Sequence, residues 1–336
     1  MENPHQINFF QNLKEIIPAH LSMVNEISDI LNISQDSTYR RIRGETALSI
    51  DETIRLCEHY KIPLSNFDKN TPGRASFGYI PYQNKKEMFS GHLKAILQNM
   101  ELLATSEQKQ IIYGAIDAPI FHFFAFPAIS AFKMHFWMNT IMGVEDLKGS
   151  YKKEHIDPEF IDMGKQIHEY YLHTPSIEIW PDDILTTTLK QLMYYWDAGN
   201  FSSIDDAIEI LDSLLIMTGH VEQMAEKSLK FSFGDKNKTG MAPFNFYQSE
   251  LLLGNNVILT TADNSRRVYI SHQTFGAIVI ENELYFENTE KWMKRIIGKS
   301  NLISGVSEKT RIKFFNNVRI QIEEFSKRIK ASETAA

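Results

Sequence analysis

The side chains best suited to recognise a ligand lie in one short polar segment, residues 33–44. Arginine presents forked N–H donors that match the acceptor edge of guanine and the oxygens of a phosphate, and small polar side chains permit close approach to base pairs. If the segment is helical and Thr38 and Ile42 face a core, the helical repeat places a polar set on the outer side. That set comprises Asp36, Arg40 and Arg43, with Ser37 beside them. The pattern predicts a helix that contacts the major groove of DNA.

Neighbouring residues supply the signals that would hold such a helix in place. Ser34 is a suitable N-cap, and Gly44 suits the left-handed backbone that ends a helix. An apolar stripe upstream predicts a partner helix, and Ser49 with Glu52 downstream forms a capping box that opens another helix. A first helix over residues 6–17 and a closing apolar segment complete an expected five-helix domain, the segment being Ile62, Leu64 and Phe67.

The run from Ile27 to Phe67 resembles the helix-turn-helix domains of the phage-repressor-like (Cro/CI, or XRE) family. The resemblance lies in three motifs: Ile27–Ser34, Tyr39–Gly44 and Ser49–Ile54. It implies that the first turn and the exposed face of the third helix contact bases, through Gln35, Asp36, Ser37 and Arg40. Tyr39 and Arg43 would then contact the DNA backbone. Asn32 stands where the family usually has glycine, and the apolar residue common at position 41 has moved to Ile42.

Charge indicates that DNA binding would be confined to one patch and would need two copies of it. The net charge of the chain is −7, and residues 1–70 contain seven Lys and Arg against ten Asp and Glu. Phosphate neutralisation supplies most nonspecific affinity, so two half-sites in a homodimer would have to add their contacts. We therefore predict a dimeric, sequence-specific transcriptional regulator that binds double-stranded DNA. The alternative is a protein–protein adaptor whose helix-turn-helix-like head does not bind DNA.

The remaining composition fits a soluble protein of the cytoplasm. Cys57 is the only cysteine, which excludes an intramolecular disulfide and fits a reducing compartment. The amino terminus has no basic segment followed by an apolar run, so no secretory signal is expected. The most apolar window, residues 118–132, is too short for a membrane span and contains two prolines. No membrane partner is expected.

Periodicity divides the rest of the chain into three regions. Residues 70–86 contain turn formers and predict a linker, residues 87–232 have mainly helical patterns, and residues 233–336 combine short strands with helices. The expected fold class is mainly α, with α+β character overall. It would comprise a five-helix head over residues 1–69, a helical middle domain and a small antiparallel sheet with helices at the carboxyl end.

Two local patterns in the last region predict pairing. Gly254 and Asn255 form a hairpin signal between expected strands at 244–252 and 257–261. In the final helix, apolar residues repeat at alternating spacings of three and four: Phe315, Val318, Ile322, Phe325 and Ile329. This pattern is typical of a coiled-coil seam, but it covers only about two heptads. Packing within the same chain and a dimer seam therefore both remain open.

The sequence contains no recognisable catalytic, metal or cofactor motif. The histidines lack the spacing of a zinc protease site, and no phosphate loop, dinucleotide fingerprint or nucleophile elbow is present. We therefore expect neither enzymatic activity nor a cofactor. The aromatic stretch 121–126 could line a pocket for an apolar effector, with four candidate ligand contacts: Tyr113, His122, His135 and Trp137. Phenylalanine-rich segments also form ordinary protein cores, and that alternative remains open.

Overall fold

The computed structural model describes residues 3–17, 21–60, 75, 77, 86–147, 149–251, 253–272 and 275–334. The chain divides into two compact units. The head comprises residues 1–76 with 282–284, and the body comprises residues 77–281 and 285–336. The predicted linker, 70–86, lies outside the described residues except for Ala75, Phe77 and Lys86.

The described part of the head contains four α-helices: α1 (Pro4–Ile16), α2 (Met23–Leu31), α3 (Gln35–Ile42) and α4 (Ile50–His59). Their ends follow the predicted signals, since Ser34 caps α3 and Ser49 forms a capping box with Glu52 at the start of α4. Asn32 and Gly44 take left-handed backbone, with φ of 54° and 73°, and so turn the chain after α2 and α3. The expected closing segment falls outside the described residues: Ile62, Leu64 and Phe67.

The head core is formed by apolar residues of α1, α2 and α4: Phe9, Phe10, Leu13, Ile27, Leu31, Leu56 and Cys57. Each large apolar side chain buried in this way stabilises the fold by about 1.5–3 kcal/mol. Burial also raises the pKa of the Cys57 thiol. Within α4, Leu56 and Cys57 are buried, whereas Ile50 and Ile54 are exposed and lie outside the core.

The body contains eight α-helices and seven strands among its described residues. The helices are α5 (Lys86–Thr105), α6 (Ile120–Phe123), α7 (Pro127–His135), α8 (Pro158–Leu172), α9 (Thr186–Asp197), α10 (Ile204–Lys227), α11 (Glu283–Ile297) and α12 (Glu308–Thr334). The strands are β1 (Lys109–Gly114), β2 (Ser176–Pro181), β3 (Phe244–Ser249), β4 (Val257–Ala262), β5 (Ser265–His272), β6 (Gly276–Ile280) and β7 (Asn301–Leu302). A π-helical turn, Phe136–Ile141, follows α7 directly.

All seven strands form one mixed sheet in the order β6-β5-β4-β1-β2-β3-β7. The three central strands β1, β2 and β3 are parallel, and the strands outside them are antiparallel to their neighbours. The expected fold class was therefore wrong. The protein is α+β with a large mixed sheet, and strands from the expected helical middle domain and from the carboxyl-terminal region share that sheet.

The expected hairpin at Gly254 and Asn255 was also wrong, because β1 and β2 lie between β3 and β4 in the sheet. β2 was not predicted from the sequence. Its central residue, Glu178, is fully buried and breaks the apolar run that marks a central parallel strand. Its last residue, Pro181, belongs to a residue type that also favours the first turn of a helix.

Alternate residues of the strands form two faces that differ in their cover. Four residues lie side by side across β1, β4, β5 and β6 on one face: Tyr113, Ile258, Tyr269 and Val279. The residues next to these in each strand form a second row on the other face: Ile112, Leu259, Val268 and Ile280. α11 packs Phe286 and Met293 against the second row. We call the two faces the α5 face and the α11 face.

The apolar repeat of α12 is buried within the body. All five of its residues are at most 5% exposed: Phe315, Val318, Ile322, Phe325 and Ile329. α12 lies along α10 and also contacts α9. Of the two alternatives for this repeat, the structure therefore shows packing within the same chain.

Candidate functional site

One buried contact determines which side of α3 faces outward. Thr38 is completely buried, and its hydroxyl lies 2.9 Å from that of Ser28 on α2. Rotation of α3 about its axis would break this hydrogen bond between the two helices, and a hydrogen bond of this kind contributes about 0.5–1.5 kcal/mol. Thr38 therefore faces the core, which is the condition from which the outward set of α3 was derived.

The six predicted DNA contacts lie on the remaining surface of α3 and at its carboxyl end. Ser37 is half-buried and the other five are exposed: Gln35, Asp36, Tyr39, Arg40 and Arg43. By the helical repeat, the middle of this surface is formed by Asp36, Arg40 and Arg43. We call these six residues the α3 strip.

Each arginine of the α3 strip is paired with an acidic side chain of the head. Arg40 Nε lies 3.1 Å from Asp36 Oδ2, and Arg43 Nε lies 2.8 Å from Glu45 Oε1. All four side chains are more than half exposed. Exposed ion pairs contribute only about 0–1 kcal/mol, so a phosphate or a guanine edge could replace either carboxylate at small cost.

Arg41 differs from these two arginines because it is engaged inside the head. Its guanidinium donates to both carboxylate oxygens of Glu52, at 2.7 and 3.3 Å, and only 16% of the Arg41 side chain is exposed. Burial tends to raise the pKa of Glu52, but hydrogen bonds from Arg41 and from the backbone N–H of Ser49 hold that pKa below its ordinary value. Arg41 therefore joins α3 to α4.

The four residues predicted as ligand contacts are all buried, but they do not share one site. Tyr113 alone among them lines a cavity of the body between α5 and the sheet. Trp137 stacks on Phe275, a wall residue of that cavity, with ring centroids 4.5 Å apart. His122 belongs to a buried polar cluster, and His135 packs edge-on against two tyrosines.

The cavity has a volume of about 470 Å³ and lies between α5 and the α5 face of the sheet. Its floor consists of alternate residues of three strands: Ile258, Thr260, Tyr269, Ser271, Ala277 and Val279. Its roof is one side of α5, where the lining residues from Met88 to Leu103 recur every three or four positions. Cavities of about 300–1,000 Å³ are typical of small-molecule sites.

Neutral polar groups interrupt the apolar wall of the cavity. Asn99 Oδ1 accepts a hydrogen bond from Arg267 at 2.8 Å, and Asn256 Oδ1 accepts one from the backbone N–H of Ile116 at 2.8 Å. Because each carbonyl oxygen is engaged, both amide NH₂ groups remain as donors. Burial lowers the pKa of His92, which keeps its ring neutral at pH 7.

The sequence did not predict that α5 and the strands β4 to β6 form the walls of a cavity. A signal was nevertheless present, because polar residues occupy positions where a buried side of a helix or strand usually has apolar ones. His92 and Asn99 interrupt the apolar stripe of α5 seven residues apart, which puts them on one side of the helix. Tyr269 and Ser271 likewise occupy alternate positions of one strand.

The buried polar cluster is centred on Glu178 of β2. The carboxylate accepts hydrogen bonds from His122 Nε2 at 3.0 Å, from Trp180 Nε1 at 2.9 Å and from the Tyr171 hydroxyl. Lys230 is also fully buried and donates to two backbone carbonyl oxygens, at 3.0 and 2.6 Å.

The electrostatics of this cluster favour the charged form of Glu178 and the neutral form of Lys230. Burial would raise the pKa of Glu178, but His122 and Lys230 outweigh it and hold that pKa below its ordinary value. Burial lowers the pKa of Lys230 well below its ordinary value. Since Glu178, His122 and Tyr171 are at most 1% exposed, a substrate cannot reach them, and the cluster acts as a satisfied internal network.

Among the described residues, no three His, Cys, Asp or Glu side chains come together as metal ligands. No helix in the described part of the chain has the length and apolar character needed to cross a bilayer.

A comparison of the chain with protein-family models, curated proteins and solved structures gives no match.

Proposed function

We propose that this protein is a sequence-specific, DNA-binding transcriptional regulator of the phage-repressor-like helix-turn-helix type. In this proposal it is a cytoplasmic homodimer without catalytic activity, whose head binds double-stranded DNA. The body would serve dimerisation or the sensing of a small-molecule effector. The observation that supports the proposal best is the α3 strip, an exposed polar surface with two weakly paired arginines on a helix oriented by the contact of Thr38 with Ser28.

The proposed chemistry assigns different roles within the strip. Arg40 lies at its middle, where a forked guanidinium can donate to O6 and N7 of one guanine in the major groove. Gln35 and Ser37 lie in the first turn, where side chains closest to the base edges are expected. Tyr39 and Arg43 flank these groups and would donate to phosphates, which position the helix but do not select a sequence.

Dimerisation belongs to the proposal because one head has little electrostatic attraction for DNA. Residues 1–70 hold more acidic than basic side chains, and Arg41 is already paired with Glu52. A homodimer would place two recognition helices about one turn of the duplex apart, so that their contacts add.

Selection of genomic DNA fragments by the purified full chain tests the proposal. We expect enrichment of a palindromic sequence. Arg40→Ala should weaken binding to it by about 1–3 kcal/mol and relax the preference at one base pair. Arg43→Ala should weaken binding to all sequences alike and lower the slope of log K against log salt by about one.

A matched control separates the strip from a general effect of charge. Arg55 is an exposed arginine on α4 outside the α3 strip, and Arg55→Ala removes the same charge. This variant should bind the selected sequence almost as the wild type does. If Arg40→Ala and Arg43→Ala also bind like the wild type, α3 is not the recognition helix.

The second candidate is a protein–protein adaptor, and the charge of the head is the observation that favours it. Both arginines of the strip face carboxylates, so the surface presents both signs, as interfaces with proteins often do. An adaptor would show no steep, log-linear loss of DNA binding with rising salt, and no enriched sequence.

A further inference from the structure

We propose that the cavity between α5 and the sheet binds an uncharged, largely apolar small molecule that carries a hydrogen-bond-accepting oxygen. This site stands whether or not the head binds DNA. Only an effect of the ligand on DNA binding would rest on the proposed function.

The size of the ligand follows from the volume of the cavity. A water molecule occupies roughly 30 Å³ in the liquid, so the volume of about 470 Å³ holds about fifteen groups of that size. A molecule with about 10–20 non-hydrogen atoms would fill it, and ligands of this size are usually buried almost completely in such sites.

The opposite face of the same strands shows that the cavity is not a general property of this sheet. On the α11 face, Leu259 and Val268 are at most 1% exposed because Phe286 and Met293 of α11 pack against them. On the α5 face, the residues next to them in the strands line an open space. Wall atoms next to an empty space lose the attraction of close neighbours, and an apolar ligand would restore it.

The charge of the ligand follows from the side chains that line the cavity. The described lining residues include no Asp, Glu, Lys or Arg. Two histidines line the cavity: burial lowers the pKa of His92 and so favours its neutral form, and His272 is exposed to solvent. An ionised group placed here would lose its hydration without gaining a partner of opposite charge. The site therefore discriminates against carboxylates, phosphates and amines.

The hydrogen-bond donors of the cavity wall indicate that the ligand carries an accepting oxygen. Asn99 and Asn256 keep their NH₂ groups, since their carbonyl oxygens are bonded to Arg267 and to the backbone. Tyr113 is buried in the wall of the cavity. Burial raises the pKa of this phenol, so it stays protonated and can donate. A ketone, ester, lactone or amide oxygen would satisfy these donors.

Two matched pairs of compounds test size and charge on the full chain. The fluorescent probe N-phenylnaphthylamine is uncharged, and anilinonaphthalene sulfonate has the same aromatic skeleton with an anionic group. Methyl nonyl ketone and undecanoate have the same number of carbon atoms but differ in charge. We expect the neutral probe to bind at one site per chain and the sulfonate to bind at least about tenfold more weakly. The ketone should displace the neutral probe at a concentration at least about tenfold below that needed for undecanoate.

Two substitutions on α5 locate the binding site. Ala95 lines the cavity and Gln98 lies on the exposed side of the same helix. Ala95→Phe should fill part of the cavity and lower the affinity for the neutral probe at least about tenfold. Gln98→Phe should leave this affinity unchanged. The fluorescence of the four tryptophans, all of which belong to the body, reports whether each variant is folded.

Tyr113→Phe tests the donor, because it removes only a hydroxyl. The variant should bind the ketone about 3- to 10-fold more weakly and should bind the neutral probe with unchanged affinity. An organic extract of the purified protein, analysed by mass spectrometry, shows whether the cavity is already filled by a molecule from the cell. An uncharged extracted molecule that competes with the probe would support the proposal.

Three results would overturn the proposal: no probe binding to protein whose extract is empty, equal binding of the charged and neutral compounds, or full probe binding by folded Ala95→Phe. Failure of the DNA-binding proposal gives a different result. The double variant Arg40→Ala, Arg43→Ala should lose DNA binding and keep the probe site, since no residue of the strip lines the cavity.

Discussion

The two faces of the sheet consist of the same strands, yet only one of them is closely packed. On the α11 face, the row from Ile112 to Ile280 is entirely aliphatic and one amphipathic helix covers it. On the α5 face, two tyrosines interrupt the row, and α5 brings His92 and Asn99 over it. The difference lies in the side chains at alternate positions, because both faces share one backbone. The α5 face is therefore less closely packed than the α11 face, and it has space and polar donors that the α11 face lacks.

Buried ionisable groups follow the same division. His122, His168, His220, Glu178 and Lys230 belong to α6, α8, α10, β2 and the segment after α10. None of the buried ionisable side chains of the described residues belongs to α11 or to β4, β5 and β6. Acid should therefore act on one side of the sheet only, and substitutions should have different costs on the two faces.

The largest effect is expected on acidification. Burial lowers the pKa of His168 to about 3 and the pKa values of His135 and His220 to about 4. The unfolded chain, with an ordinary histidine pKa near 6.5, then binds more protons than the folded chain between these values. Stability should fall as the pH drops below about 6.5, by up to about 1.4 kcal/mol per pH unit for each histidine. Urea unfolding followed by tryptophan fluorescence at several pH values measures this slope.

His168→Gln should flatten this pH dependence, because glutamine does not titrate. His173, an exposed histidine at the end of α8, provides the control, and His173→Gln should leave the slope as it is. Equal slopes in all three proteins would show that the buried histidines are protonated without cost.

The second effect compares neighbours in β4. Leu259 is 1% exposed on the α11 face, and Leu259→Ala should destabilise the body by about 2–5 kcal/mol through the cavity that it creates. Ile258 is half-buried beside the existing cavity, so Ile258→Ala should cost only about 1 kcal/mol. Urea midpoints read from tryptophan fluorescence decide the order. Equal losses would mean that both faces are packed to the same density.

The smallest effect is expected when atoms are added. Ala277→Val adds two methyl groups towards the cavity and should change the free energy of unfolding by less than about 1 kcal/mol. The same variant should lower the affinity for the neutral probe. Val268→Ile adds one methyl group to the filled α11 face and should destabilise by about 1–2 kcal/mol. A stabilised Val268→Ile variant would reveal free space under α11 and remove the contrast between the faces.

Much of the fold could be predicted wherever the signal is local. A cap acts within one turn, so Ser34 and Ser49 mark helix starts in the sequence and in the structure. The apolar repeat of α12 likewise indicated a buried helix side. The candidate site divides in the same way. Helical spacing indicated four residues of the α3 strip, and the family resemblance added Gln35 and Tyr39. The pairing of Arg41 with Glu52 depends on two helices meeting and has no local signal.

The sequence by itself determined where several helices begin, through their caps, and that one side of α12 is apolar and buried. Only the tertiary structure decided that β1 and β2 lie between β3 and β4, that Glu178 is buried, and that Tyr113 lines a cavity without His122, His135 or Trp137. The physical reason is the range of the interactions. Caps and periodicity act over a few residues, whereas strand order depends on pairing between distant segments. A cavity depends on the shapes of two surfaces that meet only after folding.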